Sequence, residues 1–275
     1  MTRIPGIHVV RNRLKRMLES WPPMKLTILG SGTGVPNGER SSSGYFVETG
    51  NARIMMDCGA GTLHALARYG LPWERMTHLF ISHFHLDHIG ELASLFFAFR
   101  HGRQSSRSQP LTVIGPRGLD DILSALKQLF GSNLFSPQFP VELRMLAPNE
   151  RVELGNDGLL SVAKTPHTDE SLAVRIDSDG QTICYTGDTG FSEDVARFFS
   201  KTDLLVSECS FKMRREGVPH LSVEEVGKMA DLAEASRLVV THFYFEVNEA
   251  QLEKEIEEHY PGEVLIGRDG MIVDF

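Results

Sequence analysis

Six consecutive residues, His83-Phe84-His85-Leu86-Asp87-His88, constrain this chain more than any other feature, because four of them carry metal-ligating side chains. They follow the apolar run Leu79–Ile81 and lead into an amphipathic pattern, so the order predicts a strand that ends in a turn and enters a helix. At a strand end, side chains two apart point to the same side, which lets His83 and His85 grip one metal. The turn then presents Asp87 and His88 to a second, and the spacing suggests a two-metal centre. The competing reading, histidines on a polar surface turn, fits poorly because the interleaved Phe84, Leu86 and Ile89 require burial.

Further candidate ligands stand at the ends of later strand patterns: His167 after Val162–Thr165, Asp188 in Tyr185-Thr186-Gly187-Asp188-Thr189, and His242 after Leu238–Thr241. Singly, each is more often a cap, turn or core residue than a ligand. Together they supply what a binuclear site needs, a third histidine for each metal and one carboxylate able to bridge both.

The 275 residues allow one large domain or two small ones, and 41% hydrophobic with 23% charged residues is the balance of a folded globular protein. From Met24 onward, strand patterns cover Leu26–Leu29, Tyr45–Glu48, Arg53–Met56, His78–Ile81, Leu111–Ile114, Val141–Leu146, Leu159–Lys164, Leu172–Ile176, Thr182–Tyr185, Leu204–Ser207, Leu238–Val240, Val264–Ile266 and Met271–Val273. Helical patterns cover Gly61–Tyr69, His88–Phe99, Leu119–Phe130, Ser192–Phe199, Val223–Ala235 and Glu249–His259. So many strands exceed one open sheet and favour an α/β arrangement of two sheets packed face to face with helices outside. Residues 1–23 stand apart: Arg3, Arg11, Arg13, Lys15 and Arg16 face only Glu19, and Trp21-Pro22-Pro23 breaks any helix begun there. They read as a basic N-terminal appendage to a domain spanning 24–275.

With these residues in hand, the chain resembles the metallo-β-lactamase superfamily from about Met24 to Phe275. That resemblance implies a four-layer αββα sandwich carrying an H-x-H-x-D-H motif and three later ligands at one sheet edge. Within the superfamily it looks most like the ribonuclease Z-type phosphodiesterases, whose two glycine-rich loops match Leu29-Gly30-Ser31-Gly32-Thr33-Gly34-Val35-Pro36 and Met56-Asp57-Cys58-Gly59-Ala60-Gly61-Thr62. The resemblance implies His83, His85 and His167 on one metal, Asp87, His88 and His242 on the other, and Asp188 bridging. It implies two divalent ions, zinc first, with manganese, iron or nickel as alternatives, and hydrolysis by attack of a hydroxide held between them. Catalytic roles fall to Asp87, His220 and Glu208. The last two match the branch's late glutamate and its His-Leu-Ser motif, and a histidine paired with a carboxylate can protonate an alkoxide leaving group. His220 also immediately precedes an expected Ser222–Glu225 capping box, a role compatible with the first. Asp57 reads as a loop organiser near the metals and Cys58 as packing.

In ribonuclease Z proper, a long arm that grips tRNA lies between the residues matching His167 and Asp188. Here Asp188 follows His167 by 21 positions, filled by two strand patterns and a turn at Ser178-Asp179-Gly180. A net charge of −8 offers no general attraction for a polyanion, so extensive nucleic-acid binding is not expected. Arg100, Arg103, Arg107 and Arg117 in an acid-free stretch, with Lys212, Arg214 and Arg215 between Glu208 and His220, favour a small anionic ester, most simply a phosphodiester. The alternatives are a hydrolase of carboxylic esters, lactones, thioesters or β-lactams on the same site, a tRNA 3′-processing endonuclease, and a non-catalytic metal-binding protein. A flavin-linked di-iron redox role fits less well, because those members resemble H-x-E-x-D-H where this chain has His85. Three dispersed cysteines, Cys58, Cys184 and Cys209, point to a reduced, cytoplasmic setting. No stretch approaches the ~18 apolar residues of a spanning helix, and Met1–Ser20 lacks a secretory h-region, so no membrane partner is expected. A homodimer is compatible with the sequence.

Overall fold

A computed structural model of the chain describes residues 24–102, 109–132, 139–155, 158–244 and 247–275. The expected basic appendage, residues 1–23, lies outside the described residues, as do Arg103 and Arg107.

Among the described residues, fourteen strands form two seven-stranded sheets. The first contains β1 (Lys25–Gly30), β2 (Gly44–Glu48), β3 (Arg53–Met56), β4 (His78–Phe80), β5 (Leu111–Pro116), β6 (Val141–Leu146) and β14 (Ile272–Asp274), in the order β14-β1-β2-β3-β4-β5-β6. The second contains β7 (Arg151–Glu153), β8 (Leu159–Lys164), β9 (Leu172–Ser178), β10 (Gln181–Tyr185), β11 (Leu204–Glu208), β12 (Arg237–Thr241) and β13 (Glu263–Ile266), in the order β13-β12-β11-β10-β9-β8-β7. Helices α1 (Thr62–Arg68), α2 (Leu86–Ile89), α3 (Leu92–His101) and α4 (Leu119–Phe130) belong to the first half of the chain. Helices α5 (Glu193–Phe198), α6 (Val223–Leu232) and α7 (Glu249–Glu257) belong to the second.

The strands are apolar on both faces, and alternation along each decides which layer a side chain joins. Tyr45, Val47, Ile54, Met56 and Phe80 meet Leu160, Val174, Ile176, Val206 and Val239 between the sheets. Their neighbours Phe46, Met55 and Leu79 instead face α1, α3 and α4, meeting Leu66, Leu95 and Leu119. On the other side Leu205, Leu238 and Val240 face α5, α6 and α7. This is the four-layer αββα sandwich. Each fully buried aliphatic or aromatic side chain contributes about 1.5–3 kcal/mol, and it is this interior that lets the rim bury the carboxylates Asp57, Asp188 and Glu208.

Topology sets the rim. Strands β3, β4, β5 and β6 run parallel, as do β10, β11, β12 and β13. Because β9 is antiparallel to both β8 and β10, β8 ends at the same edge as β10. The chain therefore delivers the residues after β8, β10, β11 and β12 to one edge of the second sheet, and those after β3 and β4 to one edge of the first.

Two expectations need correction. The helix expected over His88–Phe99 is two helices. Gly90 and Glu91 interrupt it, with Glu91 N–H donating to Cys58 O at 2.9 Å and its carboxylate accepting from Leu63 N–H at the start of α1 at 2.6 Å. Leu86, expected to require burial, stands 79% exposed, whereas Phe84 and Ile89 pack partly against the core. The three-residue β7 and a 3-10 turn at Trp73–Arg75 are too short to show a period. The interval from His167 to Asp188 is a tight hairpin of β9 and β10, whose turn places Asp179 and Gly180 at φ 55° and 79°, the left-handed pair such two-residue turns require. Cys58, Cys184 and Cys209 are buried and free. Among the described residues no helix is long and apolar enough to cross a membrane.

Candidate metal centre

The residues that follow the parallel strands meet at the shared edge. His83, His85, His167 and Asp188 each offer a ligand atom, all within 4.8 Å of one another, and so do Asp87, His88 and His242. All seven sequence-predicted ligands are therefore brought together, in the two groups expected. A third overlapping group joins Asp188, His220 and His242.

The hydrogen bonds fix which nitrogen of each imidazole faces the cluster. Ser82 Oγ donates to Asp57 Oδ2 at 2.8 Å, so at its 3.0 Å contact with His83 Nδ1 the imidazole is the donor. Ser210 Oγ likewise donates to Glu208 Oε2 at 2.5 Å and accepts from His242 Nδ1 at 3.0 Å. His88 Nδ1 donates to Asp57 Oδ2 at 2.6 Å, and His167 Nδ1 donates to the Pro219 carbonyl at 3.0 Å. Four imidazoles thus turn Nε2 toward the interior of the cluster, the arrangement that orients metal-bound histidines. His167 Nε2 also converges with His85 Nδ1 at 3.1 Å.

Asp188 lies between the groups. Its Oδ2 is 3.7 Å from both His83 Nε2 and His167 Nε2, while its Oδ1 is 3.2 Å from His88 Nε2 and 3.4 Å from His242 Nε2. Asp87 Oδ2 completes the second side, 3.3 Å from His242 Nε2. The donor set fits divalent cations, because His83 Nε2, His88 Nε2 and Asp188 Oδ1 are buried and make no hydrogen bond. Orphaned buried polar atoms are costly unless something else satisfies them.

Electrostatics agree. Burial, aided by the neighbouring His88, drives the His83 pKa down to about 2 and keeps it a neutral donor. Burial opposes charge on His88 too, but Asp188 and Asp57 outweigh it and raise its pKa well above the usual value. Burial likewise works against an ionised Asp188, yet His242 and His88 hold its carboxyl well below the usual range. Negative charge is thereby concentrated where cations would sit.

Glu208, at the end of β11, is saturated. It accepts from Thr189 N–H at 2.6 Å, Ser210 O–H at 2.5 Å, Leu221 N–H at 3.3 Å and His220 Nδ1–H at 2.9 Å. Burial disfavours charge on His220, but the hydrogen bond and charge of Glu208 raise its pKa, with Asp188 adding to them. Ser222 and Glu225 also form the expected capping box of α6, so the two readings of this segment coexist. Asp57, at φ 59°, accepts from Ser82 N–H and Oγ as well as from His88, the organising role expected of it. Gly59 permits the close approach of this loop: a Cβ there would lie 2.0 Å from Asp87 O.

The basic residues are less committed to the site. Lys212 pairs with Glu255 at 3.1 Å, Arg214 with Glu225 at 3.6 Å, and Arg215 lies 4.1 Å over the Phe211 ring. Arg214 and Arg215 nonetheless line a cavity of about 350 Å³ together with His220 and Phe191. Sequence reading missed Ser82, Ser210, Tyr45 and Tyr185, because a hydroxyl buried in a strand or loop has no pattern that separates it from packing.

Comparison with known proteins places this geometry. The chain is 29% identical over 254 residues to the probable metallo-hydrolase YhfI of Bacillus subtilis (strain 168), covering 90% of this chain and 99% of the relative. The crystal structure of YhfI superposes with a TM-score of 0.79 at 27% identity, covering 92% of this chain and 100% of that one. Ribonuclease Z of Halorubrum lacusprofundi is 26% identical over 308 residues, covering 91% of this chain and 97% of the relative. The short form of human tRNase Z shares the fold, with a TM-score of 0.75 at 24% identity over 91% of this chain and 98% of that one. Residues 24–259 match the family described as Anti-Pycsar protein Apyc1. The chain belongs to that family, within the ribonuclease Z-like branch of the metallo-β-lactamase-fold hydrolases.

Proposed function

We propose that this protein is a binuclear metal-dependent phosphodiesterase acting on small phosphodiesters. The observation that carries the reading is the position of Asp188, whose two oxygens face separate histidine groups. His83, His85 and His167 would hold one divalent ion and Asp87, His88 and His242 the other. Bound there, two such ions supply a water of lowered pKa and neutralise charge growing on a phosphoryl oxygen.

The chain's own residues do the rest. Asp188 keeps the two groups in register, since its loss leaves each without a shared anion. His220, held at Nδ1 by Glu208, whose hydrogen bond and charge raise its pKa, stands beside the cluster, suited to donate a proton to the departing alkoxide. Glu208 positions it and ties it through Thr189 N–H to the loop that bears Asp188.

Substrate size rests on the hairpin between His167 and Asp188, which leaves no chain there for an arm. The ribonuclease Z alignment runs over 308 positions, more than the 275 residues of this chain, so that relative carries insertions. The YhfI alignment runs over 254. A small diester needs the two metals and one or two cations near the mouth, whereas a large RNA needs many spread phosphate contacts.

The test is a hydrolysis screen of the zinc- or manganese-loaded protein. The panel holds bis-p-nitrophenyl phosphate, cyclic mononucleotides, a dinucleotide, a lactone, a thioester, a β-lactam and precursor tRNA. Small diesters should be cleaved fastest, with tRNA a weak competitor at near-physiological salt. Preference for the lactone or thioester, or inhibition by tRNA at submicromolar concentration, would overturn the reading.

A further inference from the structure

Two tyrosines cross the interior directly behind the metal centre. Tyr45, on β2 of the first sheet, places its hydroxyl 2.8 Å from Thr241 Oγ1 on β12 of the second. Tyr185, on β10 of the second sheet, donates to Asp57 Oδ2 just beyond β3 of the first, at 2.7 Å. Their rings sit 4.7 Å apart at 52°, and both side chains are buried in the inter-sheet core. Each hydroxyl therefore bonds across to the opposite sheet rather than within its own.

Both bonds end one step from a proposed ligand. Thr241 immediately precedes His242, which turns through a left-handed backbone at φ 60°. Asp57 accepts from His88 Nδ1 at 2.6 Å. His88 and His242 belong to the same group, yet the first follows β4 of one sheet and the second β12 of the other. Their separation is the separation of the sheets at this edge. The other group also draws on both sheets, His83 following β4 and His167 following β8, but the tyrosines reach it only at second hand: His83 rests on Ser82, which donates to Asp57, and His167 rests on the Pro219 carbonyl.

We propose that Tyr45 and Tyr185 are positioning residues, a crossed latch that holds the two sheets at the spacing the Asp87, His88 and His242 group needs and so sets its affinity for a cation. The proposal rests on the reading of these side chains as metal ligands. A buried hydroxyl that loses its partner leaves the other group unsatisfied. Phenylalanine at either position keeps the ring packing and removes only the latch, so the sheets can shift without a cavity being made. The Tyr185 bond has a second action, since Asp57 loses one of the donors that keep it oriented toward His88.

The experiment measures stepwise zinc affinity by competition with a chromophoric chelator, and metal-free melting temperature, for the wild type, Tyr45→Phe, Tyr185→Phe and the double variant. Tyr260→Phe serves as a control, because Tyr260 is equally buried but donates to Ala235 O at 2.8 Å in the outer core. Loss of an orienting partner of a ligand typically costs 10–100-fold in metal affinity. Each single latch variant should weaken one of the two binding steps by roughly 10–100-fold and the other less, with Tyr45→Phe, which leaves Asp57 and Ser82 untouched, the more selective of the two. The double variant should weaken the same step further, and the control should shift only the melting temperature. Equal weakening of both steps, or a lowered melting temperature with both affinities intact, would reduce the tyrosines to ordinary core residues. A wild type that binds fewer than two ions would instead overturn the ligand reading itself. Should Tyr185→Phe fail to fold, Tyr45→Phe decides the matter alone, since it leaves every bond to Asp57 in place.

Discussion

The two ligand groups on either side of Asp188 are built differently. In one, His85 is exposed and His167 lines a cavity of about 910 Å³. In the other, His88 and His242 are buried and braced by Asp57, Ser210 and the crossed tyrosines. His85 and His167 of the first group face the space a substrate must enter, although His83 is buried, whereas His88 and His242 of the second are part of the sandwich interior. The difference teaches that, on the proposed ligand reading, one metal position would be set by loops at the mouth and the other by the packing of the whole domain. Variants should divide along that line.

The largest expected effect ignores the division, because Asp188 serves both groups. Asp188→Ala should empty the centre and reduce hydrolysis to background, read as metal content by elemental analysis together with turnover. A retained wild-type rate with full metal occupancy would remove Asp188 from the site.

Next comes a residue beside both groups that ligates neither in this account. His220→Ala should keep both metals while lowering turnover by roughly 10²–10⁴-fold. The loss should shrink for p-nitrophenyl esters, whose leaving group needs little protonation. Equal losses on good and poor leaving groups would refute its role as proton donor.

Two serines sharpen the comparison. Ser82→Ala removes the acceptor of His83 Nδ1 in the open group, and Ser210→Ala that of His242 Nδ1 in the buried one. Each should weaken a different metal-binding step most, by about 10–100-fold, with a smaller effect of Ser82→Ala on the other step, because Ser82 Oγ also donates to Asp57, the partner of His88. Only Ser210→Ala should also slow turnover once metal is saturating, since Ser210 donates to Glu208, the partner of His220. Identical effects of the two variants would break the distinction between the groups.

The smallest effect lies at Leu86. Exposed at the start of α2, it should change stability by less than about 0.5 kcal/mol on replacement by Ser. Leu79→Ala in the core should cost about 2–5 kcal/mol. Denaturant unfolding of the two variants decides between them.

Leu86 also marks where the sequence stopped being informative. The apolar run of strands such as Arg53–Met56 and the helical period of the 12-residue Leu119–Phe130 were legible, because burial on two sheet faces or one helix face selects the residues themselves. The convergence of the proposed ligands was legible because His and Asp recur together at the ends of several strand patterns. Leu86 was not, since a four-residue helix presents too few positions to show which side is buried. Nor was the break at Gly90, where a long-range bond from Glu91 to the start of α1 outweighs local helical preference. Ser82, Ser210, Tyr45 and Tyr185 gain their meaning only when two sheets meet, and no local pattern carries that information. The arginines near the site illustrate the reverse: their spacing suggested an anion patch, and the structure engages Arg214 and Arg215 with Glu225 and Phe211.

The central claim is a binuclear centre shared through one carboxylate, and anomalous diffraction from crystals grown with zinc tests it most directly. The account predicts two peaks flanking Asp188, one beside Oδ2 among His83, His85 and His167, the other beside Oδ1 among Asp87, His88 and His242. A single peak, or two peaks of which neither touches Asp188, would contradict it.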